Sequence, residues 1–236
     1  MIPLKQALPL EEPKLVLFDM DGILFDTMPI HTLSWKKVCD EYDIQAERDE
    51  FYLYEGMRGV DTIKKLYHRT FDETPSDELT NEIYQRKTDL FQEIKEDSIQ
   101  RIPGTIEFIE YLKDDRKVEI AVVTGSTKQN AYPRIAHFYG DMIPQDLIIT
   151  AEHVERGKPH PEPYIKGMEL FGRSPEDTLV VENAPLGVRS GVDSGAFTVA
   201  ITTGPIHPSI LRKEGANLIF PEMKSLHIWW KKQFSR

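Results

Sequence analysis

Five short apolar runs, rich in β-branched residues, recur along the chain, and each ends in polar or glycine residues before apolar residues continue at helical spacing. Strands that alternate with helices in this way predict a parallel β-sheet covered by helices. Ligands of such sheets bind at the carboxyl ends of the strands, so the residues directly after each run are the first candidates for function. The predicted strands are Leu15–Phe18, Val118–Val123, Leu147–Ile149, Leu179–Val181 and Phe197–Ile201, and the residues that follow them are Asp19, Thr124, Thr150, Glu182 and Thr202.

Between about residues 28 and 102 the strand pattern is absent, and apolar residues recur at helical spacing instead. Ser76 precedes the last helical stretch as a candidate N-cap, and Pro103 and Gly104 end the segment. The segment leaves the chain after the first predicted strand and rejoins it before the second, so it should cover the strand ends. We therefore predict a core of residues 1–27 and 103–236 and a helical cap of residues 28–102.

The charge balance and the cysteine content exclude several classes of protein. With 39 acidic and 29 basic residues the net charge is −10, which disfavours nucleic-acid binding. Cys39 is the only cysteine, so neither an intrachain disulfide nor a thiolate zinc site can form, and a reducing compartment fits. The N-terminus lacks the apolar stretch of a signal peptide, and no apolar run is long enough to cross a bilayer. We expect a cytoplasmic monomer without nucleic-acid or membrane partners.

Two carboxylates, Asp19 and Asp21, follow the first predicted strand, and Gly22 permits a sharp turn behind them. Acidic side chains beside a hydrophobic strand need a cation, and oxygen ligands suit Mg²⁺. The alternative is a turn in which both aspartates bond to the local backbone, and for an isolated Asp-x-Asp that alternative is the stronger one.

Three later sites offer groups that suit a phosphate. Thr124, Gly125 and Ser126 supply a hydroxyl and unobstructed backbone N–H groups, although an ordinary helix N-cap explains them about equally well. Lys158 lies between a glycine and a proline that restrict its direction, which favours a function over an ordinary solvated lysine. The fourth predicted strand continues into a carboxylate and an amide at the same edge of the sheet, Glu182 and Asn183.

This order of groups resembles the haloacid dehalogenase superfamily across nearly the whole chain, from Leu15 to Phe220. Residues 18–27 (FDMDGILFDT) are close to its first motif, and residues 157–162 (GKPHPE) are close to its third. The early helical insertion resembles the C1-capped branch that contains β-phosphoglucomutase and small sugar-phosphate phosphatases. The resemblance implies an α/β fold with a Rossmann-like parallel sheet, an inserted all-helical C1 cap and Mg²⁺ as the cofactor.

The resemblance also implies a role for each candidate. Asp19 is the nucleophile that forms an aspartyl-phosphate, and Asp21 is the acid/base that protonates the leaving oxygen and then activates water. Thr124, Gly125, Ser126 and Lys158 stabilise the transferred phosphoryl group, which agrees with the charge that develops in phosphoryl transfer. The family usually has aspartate where this chain has Asn183, so metal affinity should be lower unless Glu182 compensates. The implied metal ligands are Asp19, the Asp21 carbonyl, Asn183 and Glu182.

Two residues of the predicted cap are candidates for contact with the site. A histidine at the helical spacing of His31 is more often a core residue than a ligand. In related enzymes, however, the equivalent of His31 lies near the hinge beside the acid/base, and a glycine-flanked loop like that around Arg58 enters the active site. We therefore hypothesise that His31 positions Asp21 and that Arg58 meets the substrate.

The sequence favours a Mg²⁺-dependent phosphatase, a phosphoric monoester hydrolase, that acts on a small phosphorylated metabolite such as a sugar phosphate. β-Phosphoglucomutase has a cap arginine for the second phosphate, and Thr62 stands at what we take to be its position, although Arg58 could replace it. A phosphomutase is therefore the alternative. A dehalogenase is disfavoured because Asp21 would have no leaving alkoxide to protonate, and a non-catalytic binding protein is a further alternative suggested by Asn183.

Overall fold

A computed structural model describes residues 11–94 and 99–234. Its centre is one six-stranded sheet in the order β3-β2-β1-β4-β5-β6, in which all neighbouring strands are parallel. The predicted α/β fold is therefore confirmed, and each of the five predicted strands is present within about one residue of its expected bounds. The strands are β1 (Leu15–Phe18), β2 (Glu119–Val123), β3 (Ile148–Ile149), β4 (Thr178–Glu182), β5 (Phe197–Ile201) and β6 (Leu218–Phe220).

Helices cover both faces of this sheet because alternate residues of the buried strands point to opposite sides. In β1, Val16 and Phe18 join a large cluster with the helices of one face, whereas Leu15 and Leu17 pack against Tyr164 and Met168 on the other. The helices that accompany the sheet are α4 (Thr105–Glu110, continued by a π-helical turn Tyr111–Asp115), α5 (Lys128–Tyr139), α6 (Glu162–Phe171), α7 (Pro185–Asp193), α8 (Pro208–Lys213) and α9 (Met223–Gln233).

In its described residues, the segment between β1 and β2 that was predicted to be helical contains a 3-10 helix (Arg48–Leu53) and the α-helices α1 (Met28–Glu41), α2 (Gly59–Phe71) and α3 (Asp77–Glu93). They enclose a small core of their own that includes Val38, Ile63 and Ile83. Ser76 caps α3 as predicted, since its Oγ accepts a hydrogen bond of 3.1 Å from the Leu79 N–H. Parts of the predicted domain ranges, residues 1–10, 95–98 and 235–236, lie outside the described residues.

One strand was not predicted. The strand β6 has only three residues, all of them half-buried, and it pairs with β5 alone at the edge of the sheet. An edge strand of this length lacks the continuous buried run that identifies a central parallel strand. Among the helices of residues 11–94 and 99–234, none has both the length and the apolar character needed to span a membrane.

Candidate active site

The strand register brings the candidate residues together at one edge of the sheet. Phe18 pairs with Val122 of β2 and with Val181 of β4, so the residues just beyond these three positions meet. The Asp19 N–H continues the ladder by donating to the Val181 carbonyl at 3.0 Å. A cavity of about 70 Å³ lies over this edge, and its walls include Asp19, Asp21, Thr124, Gly125 and Ser126 from the core and His31, Glu55, Thr62, Tyr84 and Lys87 from the α1–α3 segment.

Lys158 lies at the base of the site, where it is 2% exposed. Its ammonium donates to Asp19 Oδ1 at 2.5 Å, to Glu182 Oε1 at 2.7 Å and to the carbonyl of Val123 at 3.1 Å. All three donor positions of the ammonium are therefore used, and the lysine is fixed against the candidate nucleophile.

Glu182 has a different position from the one we expected. Its Oε1 accepts from Lys158 and from the Tyr164 hydroxyl at 2.8 Å, and its Oε2 accepts from the backbone N–H groups of Asn183 and Ala184 at 2.9 and 3.1 Å. Because a carboxylate has about four acceptor positions, this side chain is fully occupied. Glu182 therefore binds Lys158 in this structure, and it has no acceptor position left for a direct bond to a metal.

Burial dominates the electrostatics of Asp19. Desolvation, opposed by Lys158 and reinforced by Glu182 and Asp21, raises the pKa of Asp19 to about 8. Asp19 and Glu182 share Lys158, so when both carboxyls are ionised they leave an excess of one negative charge at this point. A bound cation would relieve it and restore the ionised nucleophile.

Asp21 is held in the opposite way. Burial alone would raise its pKa, but His31, Arg134 and the Thr27 hydroxyl hold the pKa of this carboxyl below its usual range. Thr27 Oγ1 donates to Asp21 Oδ1, and Arg134 Nη1 lies 3.8 Å from the same oxygen. His31 Nε2 faces it at 3.4 Å. The structure thus places His31 beside Asp21, as we hypothesised, and its role there stays a prediction.

His31 is itself fixed from the cap. Lys87 of α3 lies 2.8 Å from His31 Nδ1, and the imidazole stacks on Phe91 with a centroid separation of 4.3 Å. Burial, together with Lys87, lowers the pKa of His31 to about 4, so the ring is neutral at pH 7. A protonated Lys87 donates to Nδ1, which leaves the imidazole proton on Nε2, the nitrogen that faces Asp21.

Glu55 lines the opposite wall of the cavity, and Asn183 is bonded to it. Asn183 Nδ2 donates to Glu55 Oε1 at 2.8 Å, while Asn183 Oδ1 is buried and has no hydrogen-bond partner among the described residues. Gly22 adopts φ +79°, and a Cβ there would lie 2.0 Å from Asn183 Nδ2, so only glycine fits this turn. Burial and the nearby Asp19 raise the pKa of Glu55 well above its usual value.

These groups fit a divalent cation. The unpaired amide oxygen of Asn183 and the buried carboxyl of Asp19 are the kind of oxygen donors that Mg²⁺ takes. Nowhere in residues 11–94 and 99–234 do three carboxylate, imidazole or thiolate side chains form a ready-made metal cluster. The predicted ligand set had two carboxylates, Asp19 and Glu182; without Glu182 it consists of one carboxylate, one backbone carbonyl and one amide, and it does not need such a cluster.

The loop before α2, residues 54–58 and here called the cap loop, closes the cavity from above. A Cβ on Gly125 would lie 2.6 Å from the Gly56 carbonyl oxygen, so the cap loop and the core loop are in close contact. Arg58, however, does not line the cavity over Asp19: its guanidinium forms two hydrogen bonds with Asp61, at 2.7 and 3.1 Å. Arg58 instead lines an adjoining pocket together with Gly56, Thr124 and Lys158, and its contact with substrate stays a prediction.

A sequence model described as "Haloacid dehalogenase-like hydrolase" matches residues 16–201. The chain belongs to this family. This confirms the recognised family and the prediction of an enzyme. The chain is 28% identical to hexitol phosphatase A of Escherichia coli K12 over 78% of its length and 81% of that protein's. It is 26% identical to β-phosphoglucomutase of Bacillus subtilis, covering 81% and 84% of the two chains.

The solved structures agree. A structure described as a putative β-phosphoglucomutase from Bacteroides vulgatus superposes with a TM-score of 0.88 at 39% identity, covering 95% of this chain and 90% of the other. The parallel sheet and the inserted helices of this family member therefore match known relatives along almost their whole length.

Several residues around the site were not predicted, among them Glu55, Tyr84, Lys87, Arg134 and Tyr164. Tyr84, Lys87 and Arg134 lie on helices distant from the motifs, and Tyr164 lies two residues after the third motif without a feature that marks it. Only Glu55 carried a signal, because it precedes the glycine-flanked loop that we associated with the site.

Proposed function

We propose that this protein is a Mg²⁺-dependent phosphatase that hydrolyses a small phosphorylated metabolite through an aspartyl-phosphate on Asp19. One observation carries the proposal: Asp19, Asp21 and Thr124 line a single cavity beside a buried lysine that bonds to Asp19 at 2.5 Å, and Asn183 adjoins this cavity through its hydrogen bond to Glu55. The names of the relatives, phosphatases and phosphomutases, support the same chemistry. A sugar phosphate, a cytoplasmic location and a monomeric state remain predictions from the sequence.

The residues divide the reaction between them. Asp19 attacks phosphorus, and Lys158 with the groups at Thr124–Ser126 stabilises the charge on the transferring oxygens. Asp21 gives a proton to the leaving oxygen and later takes one from the water that hydrolyses the intermediate. The low pKa of Asp21 suits its role as the base that activates water. For the earlier step, in which Asp21 donates a proton, the approach of the negatively charged phosphoryl oxygens raises the pKa of Asp21. Asp19, the Asp21 carbonyl and Asn183 would hold Mg²⁺, which supplies further charge stabilisation when bound.

The size of the closed cavity bears on the substrate. At about 70 Å³ it has room for on the order of five water molecules, which matches a phosphoryl group with a small substituent. Tyr84, Lys87 and Glu55 bound this space from the cap. Compact phosphate esters are therefore favoured over large ones.

Phosphate release from a panel of hexose phosphates, glycerol phosphates, phosphoglycolate and pyrophosphate, with and without Mg²⁺, tests the proposal. Asp19→Asn should lower turnover at least about 10³-fold because the nucleophile is lost. Asp146→Asn removes an exposed carboxylate far from the cavity and serves as the control. Interconversion of sugar phosphates without net phosphate release would establish the phosphomutase instead, and tight binding without turnover would establish a binding protein.

A further inference from the structure

Arg134 is a buried cation that the proposed reaction does not use. Its side chain comes from α5 of the core, is 6% exposed and lies over the Phe91 ring at 4.8 Å. Neither Nε nor Nη1 has a hydrogen-bond partner among the described residues. A buried guanidinium with unpaired donors is costly unless an anion completes it.

Among the described residues, Asp21 is the carboxylate that pairs with Arg134, and it leaves the donors of the guanidinium unsatisfied. Asp21 Oδ1 lies 3.8 Å from Arg134 Nη1, beyond hydrogen-bond distance, and this oxygen already accepts from Thr27. Lys87 adds a second buried basic group on the other side: its Nζ lies 2.8 Å from the neutral His31 and over the rings of Trp35 and Phe91, at 5.0 and 5.2 Å, and no carboxylate of the described residues bonds to it. The Nε and Nη1 groups of Arg134 are therefore available to bind an anion.

The space beside Arg134 adjoins the reaction cavity. A smaller cavity of about 20 Å³ has Arg134, Asn130 and Lys87 in its walls, and the two cavities share His31, Tyr84, Lys87 and Ser126. A group attached to the oxygen that Asp21 protonates would therefore extend toward Arg134. This smaller cavity has room for on the order of one water molecule, so it accepts only a compact group.

We propose that Arg134, together with Lys87, binds a second anionic group carried by the leaving group of the substrate. The proposal rests on the proposed function and narrows it to compact phosphate compounds with a second negative charge, such as a carboxylate or another phosphate. Because Lys87 belongs to the cap and Arg134 to the core, the same anion also holds the two parts together over the reacting phosphoryl group.

A matched substrate pair tests this subsite. Phosphoglycolate and 2-hydroxyethyl phosphate have leaving groups of similar size and differ in one carboxylate. Arg134→Gln should lower the ratio of kcat/KM for phosphoglycolate over 2-hydroxyethyl phosphate at least about tenfold, because a charge-assisted hydrogen bond is lost. Arg134→Lys should recover part of the ratio. Arg86→Gln is the control, since Arg86 lies on the outer face of α3 in ion pairs with Glu41 and Glu93.

A binding measurement separates the two proposals. In an Asp19→Asn background, calorimetric binding of the same two compounds should prefer phosphoglycolate, and adding Arg134→Gln should remove that preference. An equal loss on both substrates would show that Arg134 acts only through Asp21 and would overturn the subsite, as would an unchanged ratio. Selective binding without turnover by the unmodified protein would refute the phosphatase while leaving the subsite in place. Thermal melts of each variant verify folding.

Discussion

Lys87 should make the protein less stable at neutral pH than the same protein without its charge. Burial lowers the pKa of Lys87 from 10.5 to about 7, so the unfolded chain binds more protons than the folded one between these two values. Stability then rises with pH through this window, and below pH 7 the full cost is present. Taking 1.36 kcal/mol for each pKa unit, the cost is about 4 kcal/mol at pH 7 and about 1 kcal/mol at pH 10.

Lys87→Met removes this cost and keeps a long apolar side chain. It also removes the donor to His31 Nδ1, which costs about 1–3 kcal/mol at any pH. Subtracting the cost of the lost hydrogen bond from the burial cost that is removed, we expect Lys87→Met to be more stable than the unmodified protein by about 1–3 kcal/mol at pH 7. At pH 10 the variant should be equally stable or less stable.

Urea unfolding at both pH values measures this reversal. Lys64→Met, at an exposed lysine of α2 paired with Asp77, is the control and should show no such change with pH. A Lys87→Met protein that is less stable at pH 7, or whose stability difference does not depend on pH, would refute the argument that Lys87 is buried at a cost.

Two further predictions concern packing. Gly125→Ala should lower kcat/KM about tenfold, because its methyl group would lie 2.6 Å from the Gly56 carbonyl and hold the cap loop open. Gly204→Ala is the control and should leave activity unchanged, because the nearest atom to its methyl group is 3.7 Å away. Equal activity of the two variants would contradict the close contact between Gly125 and Gly56. Burial raises the pKa of the Cys39 thiol to about 12, so the native protein at pH 8 should not react with a thiol reagent. The urea-unfolded protein should react at one site. Rapid reaction of the native protein would show that the helices around Cys39 are open or loosely packed.

The part of the site that lies at strand ends could be predicted from sequence. Asp19, Thr124 and Asn183 follow buried β-rich runs, and parallel strands bring their carboxyl ends to one edge whatever the details of packing. Lys158 was found through its glycine and proline neighbours, and the fold followed from the same alternation of runs.

The helical side of the site could not be predicted in this way. Lys87 and Arg134 lie on helices with no motif, and whether such a side chain faces solvent or a cavity depends on how α3 packs against α5. Glu182 was assigned to the metal because its carboxylate was visible in the sequence, whereas the partners that occupy it, such as the Tyr164 hydroxyl, come from a distant helix. The sequence also did not indicate that Asp61, one helical turn away, pairs with Arg58, whose contact with substrate stays a prediction.

The contacts between the cap loop and the core have a consequence for the rate of turnover. If the substrate enters past this loop, the contact of the Gly56 carbonyl with Gly125 and the hydrogen bond from Asn183 to Glu55 must both break. Every catalytic cycle must therefore break these contacts twice, once for entry and once for exit. The maximal rate then has a ceiling set by loop opening, and at that ceiling it would respond to solvent viscosity rather than to the reactivity of the phosphate ester.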